Sequence, residues 1–166
     1  MRRPRGRPTS GRRPVRPAHE AARFVAAVAV AVFRGGRVLA MRRSPLKDAG
    51  AGAWEALAGR VRPGEQPLAA ARREAREECG LEVAIDPRPV ASYQAKRNLE
   101  DMVMVVYRGA SKAGDVVLSD EHDAFAWMTL AEFARACPFP LLVEAVRLAS
   151  EAGGRRAPRA REVKAT

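Results

Sequence analysis

Long hydrophobic runs are missing from this sequence. The longest, FVAAVAVAVF at 24–33, has ten residues, half of the roughly 20 that cross a bilayer as a helix. No membrane partner is therefore expected. Cysteine is scarce too. Cys79 and Cys137 are the only two and lie far apart, so neither a paired metal motif nor a disulfide framework is available. A reduced, cytoplasmic setting follows as the default. Lysine is nearly displaced by arginine, four against 26, which reflects genome composition as much as function. Internal repeats are absent, and 166 residues suit one ordinary domain.

Acidic residues are missing from one region in particular. Residues 1–18 hold seven Arg and no acid, and residues 155–166 hold five basic residues against Glu162. The two ends thus account for the whole net charge of +11, and the middle of the chain has no bulk reason to seek polyanions. Rich in Arg and Pro and poor in apolar residues, 1–20 and 153–166 read as disordered basic tails around a folded domain at 21–152. Solvated extensions, or a start codon assigned too far upstream, are favoured over nucleic-acid binding by these tails. An Arg-rich start before an apolar stretch also imitates a signal peptide. The valines of 24–33 and the turn RGGR that follows fit a strand–turn–strand better.

Strands are expected at 24–33 and 37–42, a loop at 44–52, and extended chain over 54–61. Pro63-Gly64 turns the chain into a helix over 67–79. Pro67 suits its first position, Leu68, Ala71 and Ala75 share its buried face, and Gly80 caps it with Leu81 folding back. Strands follow near 81–85, 89–96 and 102–108, with a loop around 93–100. A short strand is expected at 125–128, a helix capped by Thr129 and Glu132, and a last helix at 141–152. The order predicts an α/β sandwich with a mixed sheet.

On the helix at 67–79, Glu74, Glu77 and Glu78 are neighbours at i, i+3 and i+4. Surface pairing with Arg72, Arg73 and Arg76 would balance them. The preceding loop points elsewhere: Glu65 joins the acids, and Gly59 and Gly64 let main-chain carbonyls approach closely. Carboxylates, a carbonyl and water form a hard oxygen site suited to Mg²⁺, with Mn²⁺ as substitute. Such an ion suits phosphate-transfer chemistry.

The stretch GRVRPGEQPLAAARREAREECGL (59–81) closely resembles the Nudix box, G-x5-E-x7-R-E-U-x-E-E-x-G-U, where U is bulky and apolar. Gly59, Glu65, Arg73, Glu74, Glu77, Glu78, Gly80 and Leu81 all fall at its spacings, with Ala75 small for its position. The resemblance implies a Nudix-type α/β/α sandwich with a mixed central sheet, and hydrolysis of a nucleoside diphosphate linked to X. It implies Glu74, Glu77, Glu78 and the Gly59 carbonyl as metal ligands, with Glu74 or Glu78 positioning or deprotonating a water. Arg73 would orient the glutamates by pairing with Glu65.

Upstream, WEALAG (54–59) departs from the W-E-x-P-G-G of many relatives: Trp54, Glu55 and Gly59 fit, whereas Leu57 and Ala58 replace the proline and a glycine. The Ala-Gly pair resembles relatives that hydrolyse ADP-ribose, yet the proline those carry near residue 97 is replaced by QAKRNLE. The expected substrate is a nucleoside triphosphate, oxidised forms included, cleaved to monophosphate and pyrophosphate. Alternatives are ADP-ribose or another sugar nucleotide, an RNA 5′ end, or a silent nucleotide-binding regulator. Glu121 resembles an extra acid that relatives place on a late loop, as metal ligand or base, and a solvated loop acid is the plainer reading. Arg42, Arg43 and Lys96 are expected at substrate phosphates, and Trp54 and Glu55 at the substrate. Trp127 and Cys79 read as packing residues, and His122 as a lone histidine of a kind seldom catalytic. A homodimer is compatible with the sequence.

Overall fold

The computed structural model describes residues 23–46 and 50–154. The basic tails lie outside the described residues, apart from Gly153 and Gly154, which end the last helix. Alternation in the first strand sets the packing of the rest. Along β1 (Val25–Arg34), Val28, Val30 and Val32 join one core, and Ala29, Ala31 and Phe33 join the other, because successive strand side chains face opposite ways. Helix α1 (Pro67–Cys79) covers the valine face with Ala70, Ala71, Ala75 and Cys79. Helices α2 (Leu130–Ala136) and α3 (Pro140–Gly154) cover the alanine face with Phe133, Leu142, Val146 and Ala149. The result is the expected α/β/α sandwich.

The sheet is mixed. β1 runs parallel to β7 (Glu100–Ala110), and the other described strand pairs are antiparallel. Two strands share each outer edge of this central pair. The end of β1 pairs with β2 (Arg37–Arg43), and its start with β4 (Leu57–Arg60). Likewise β7 pairs with β5 (Ala84–Ile85) near its end and with β6 (Ala91–Arg97) along its start. β3 (Trp54–Glu55) and β8 (His122–Met128) both flank β2. Registers then place Arg60, Ala27, Met104 and Tyr93 in one row across four strands, on one face of the sheet.

Local structure follows the sequence closely at α1. Its bounds are those expected, Pro67 occupies the first turn, and Gly80 at φ 64° donates its N–H to the Arg76 carbonyl at 3.2 Å. A capping box starts α2, with Glu132 N–H donating to Thr129 Oγ1 at 3.2 Å and Thr129 N–H to Glu132 Oε2 at 2.7 Å. Three expectations change. The strand at 81–85 shrinks to Ala84–Ile85, because Leu81 is spent as the buried contact behind the cap. The extended stretch 54–61 breaks at Ala56, since its two halves pair with different strands. The loop at 93–100 is a hairpin instead, with Arg97 paired to Glu100 across Asn98-Leu99. Asn98 supplies the positive φ of 54°, which asparagine tolerates better than most residues. Among the described residues no helix is long and apolar enough to cross a membrane.

Candidate active site

Arg73 organises the acids of the loop and helix. Its Nε and Nη2 donate to the two oxygens of Glu65, each at 2.9 Å. Nη2 also reaches the Arg60 carbonyl at 3.0 Å, and Nη1 donates to Glu74 Oε1 at 2.6 Å and Glu77 Oε2 at 3.0 Å. A planar guanidinium with five N–H donors can serve all five contacts at once. The Arg73 fork, helped by the Arg62 N–H, holds the Glu65 carboxyl down at about 2. Lysine could not make the bidentate pair. For the metal-assisted hydrolysis that the sequence resemblance implies, Arg73→Lys is expected to lower kcat/KM by roughly 10- to 100-fold and to raise the metal concentration needed for half-activity. Steady-state kinetics over a metal titration checks this, and an unchanged metal requirement would count against it.

The other acids lie under β4. Glu74 rests against the bare Cα of Gly59: a Cβ built there would sit 2.0 Å from the Glu74 carboxyl carbon. Glu78 accepts the Ala58 N–H at 3.3 Å and is 4% exposed. Burial pushes the Glu78 carboxyl up to about 9, and the charges of Glu74, Glu121 and Glu55 push the same way. Glu74 is also raised, by burial first, against the pull of Arg73. Glu77 is exposed and shares Arg73 with Glu74 while facing Arg62. Glu121 arrives from the strand-like loop before β8. Val117 and Ser119 donate N–H groups to the carbonyls of Cys79 and Glu78, at 3.1 and 3.2 Å. Those carbonyls have no partner inside the helix, so the loop is moored to the end of α1 and Glu121 is carried to within electrostatic reach of Glu74 and Glu78.

Among the described residues no three His, Cys, Asp or Glu side chains form a ready-made cage; Glu74 and Glu77 are turned to Arg73. The donor chemistry nonetheless fits a hard divalent cation. All the groups are oxygens, and a buried acid driven toward neutrality by its neighbours is one that a cation would ionise. Glu74 meets the Gly59 Cα and Glu78 the Ala58 N–H, so both carboxyls gather at one stretch of β4.

Beside these acids opens a cleft of about 390 Å³. Ala27, Ala58, Ala95, Tyr93, Met102 and Met104 give it an apolar base on the sheet, and Phe139 and Leu141 rise from the start of α3. Arg60, Lys96 and Arg97 bring positive charge, and Gly59 lines the cleft as well as touching Glu74. Arg60 is paired with Glu100, and Lys96 with Asp101 at 3.5 Å.

Of the residues expected at the substrate, Glu55 and Lys96 line this cleft and Arg42 and Trp54 do not. Arg42 is held by Asp123 through a bidentate pair at 2.7 and 3.1 Å. It stands opposite Trp54 in the β2–β3 register, and Trp54 packs against the α2–α3 core. Their chain neighbours Arg43 and Glu55 line the cleft instead. Trp127 packs against the α1-side core beneath the Arg34 guanidinium, 4.4 Å from its ring centre. Cys79 is fully buried. Arg60, Tyr93, Met102 and Met104 escaped the sequence reading. One signal for the cleft was present: β1 alternates Val and Ala, and the small residues face the side where space is left.

The sequence matches the NUDIX domain family over residues 23–145. An octanoyltransferase of Myxococcus xanthus is 34% identical over 131 residues, which is 74% of this chain and 36% of that protein. This chain therefore corresponds to only a part of that relative. A CTP pyrophosphohydrolase of Escherichia coli (strain K12) is 30% identical over 122 residues, 72% of this chain and 84% of that protein. Among solved structures, a MutT protein from Methanosarcina mazei Go1 shares the fold with a TM-score of 0.70 at 22% identity, over 80% of this chain and 96% of that one.

Proposed function

The chain belongs to the NUDIX domain family, and from that premise we propose that it is a divalent-metal-dependent pyrophosphohydrolase. Its substrate in this reading is a nucleoside triphosphate, oxidised forms included, which it cleaves to the monophosphate and pyrophosphate. One observation carries the reading. Gly59 and Ala58 line the cleft, and the same two residues meet Glu74 and Glu78 of α1. A base lodged in the cleft would thus extend its phosphates toward the carboxylates. The resemblance of a CTP pyrophosphohydrolase over most of its length supports a triphosphate over a sugar nucleotide.

Each group has a task in this reading. Glu74, Glu77, Glu78 and the Gly59 carbonyl would hold Mg²⁺ or Mn²⁺, which neutralises phosphate oxygens and acidifies a water when bound. The apolar walls at Tyr93, Met102, Met104 and Phe139 bind the base and keep bulk water from it. Arg60, Lys96 and Arg97 attract the phosphates. Arg73, anchored on Glu65, keeps Glu74 and Glu77 gathered beside the ion. Glu121, within electrostatic reach of Glu74 and Glu78, would take the proton of the attacking water.

The test is a substrate screen of the purified chain, with the four triphosphates, their oxidised forms, ADP-ribose and a 5′-triphosphorylated RNA, read by ion-exchange chromatography. The expected products are monophosphate and pyrophosphate from a triphosphate, lost in EDTA and restored by Mg²⁺ or Mn²⁺. Failure to turn over any triphosphate, or turnover indifferent to EDTA, would sink the reading.

A further inference from the structure

Among the described residues, Glu55 is the one acid that lines the cleft, and its carboxylate is anchored on one side only. Arg43 Nη1 donates to Glu55 Oε1 at 3.2 Å, and His122 Nε2 lies 3.2 Å from the same oxygen. A carboxylate already accepting from a guanidinium can only accept from the imidazole as well, so Nε2 carries the hydrogen. Glu55 Oε2 receives no hydrogen bond from the described residues. The His122 side chain is 1% exposed, and its Nδ1 is buried with no partner. An unsatisfied buried nitrogen is a cost to folding, and the bond to Glu55 is the one side-chain hydrogen bond of His122 among the described residues.

The strand register explains how His122 gets there. Regular pairing of β2 with β8 runs from Val38–Met128 to Arg42–Ala124, then slips, so that Arg43 faces His122 and Asp123 is left over. The extra residue re-aims the chain, as bulges beside functional sites do. Asp123 is drawn outward to Arg42, and His122 turns inward beside Arg43.

We propose that His122 is a positioning residue: together with Arg43 it fixes the Glu55 carboxylate so that the free oxygen accepts a hydrogen bond from the exocyclic amino group of a nucleobase in the cleft. The ligand class rests on the nucleotide reading above. An amino-bearing base offers a donor there, whereas the corresponding oxo base sets lone pairs against the carboxylate.

Equilibrium binding of monophosphates, which needs no turnover, separates this inference from the hydrolase reading. Calorimetry with CMP against UMP, and AMP against IMP, should show the amino member of the pair that binds favoured by roughly tenfold. Glu55→Gln should invert that preference, because Arg43 and His122 take the amide oxygen and leave its NH₂ for an oxo group. His122→Leu should bring the ratio close to one, and His122→Gln, which restores a donor, should recover part of it. In turnover the loss should fall on KM for amino-bearing triphosphates rather than on kcat. Equal wild-type affinities for both members, binding of neither pair, or a folded His122→Leu that keeps the ratio would each overturn the proposal. Should His122→Leu fail to fold, His122→Asn, whose amide is too short to reach Glu55, takes its place with the same expected loss.

Discussion

Glu78→Gln should lower hydrolysis by roughly a thousandfold and still give a protein that is harder to unfold when metal is absent. The loss follows from chemistry: several kcal/mol of transition-state stabilisation depend on the ion, and each 1.4 kcal/mol is about a factor of ten. The gain follows from electrostatics. In the folded chain burial and three neighbouring carboxylates raise Glu78 from 4.5 to about 9. Between those values the folded protein keeps a proton that the unfolded chain has released, so stability falls as pH rises through the window. Glutamine has the same shape and no charge to bury. Thermal unfolding in EDTA should therefore show the wild-type Tm declining from about pH 5 to pH 9, and Glu78→Gln holding a flatter, higher line. A variant with wild-type activity would remove Glu78 from the metal site. A variant that loses activity but tracks the wild-type pH slope would leave the metal role standing and reject the electrostatic account.

Gly59→Ala should come close to it in effect by a different route, with a fall in kcat/KM on the order of a hundredfold or more. The new methyl would overlap the Glu74 carboxylate, with all three carboxyl atoms within 2.5 Å. Gly59 lies in β4 and its φ is not positive, so alanine strains no backbone there. The colliding atoms are the end of a flexible side chain, and Glu74 can swing aside. The cost thus falls on the site and not on the fold: Tm should move by only a few degrees while activity collapses. Circular dichroism melts beside kinetics check this. A fall in Tm large enough to unfold the protein at assay temperature would show that the glycine serves the fold, and full activity would show that Glu74 need not meet β4 at all.

The local part of this design was open to reading from the chain. Helix α1 begins and ends where Pro67 and Gly80 place it, and the spacing of Glu74, Glu77 and Glu78 fixes their adjacency, because a helix relates residues three and four apart wherever it lies. The fit to the NUDIX pattern rests on the same short range. Harder to read was the period-two pattern of β1: it marked a strand, while the reason for alanine on one face became visible only once α3 and the cleft occupied that side.

Other features exist only in three dimensions. Arg42 and Arg43 are adjacent and chemically alike, yet one is bound outward to Asp123 and the other turns inward to Glu55. A slip of one residue between β2 and β8 leaves Asp123 for the first and sets His122 beside the second, and no window of either strand contains it. The row Arg60, Ala27, Met104 and Tyr93 likewise joins residues far apart in the chain through three registers. Sequence by itself determined the helix, its caps and the cluster of acids that a cation would bind, because those depend on contacts within a few turns of chain. Tertiary structure alone decided which face carries the cleft, which arginines reach it and how Glu55 is held there, because strand register is settled by packing of the whole sheet against its helices.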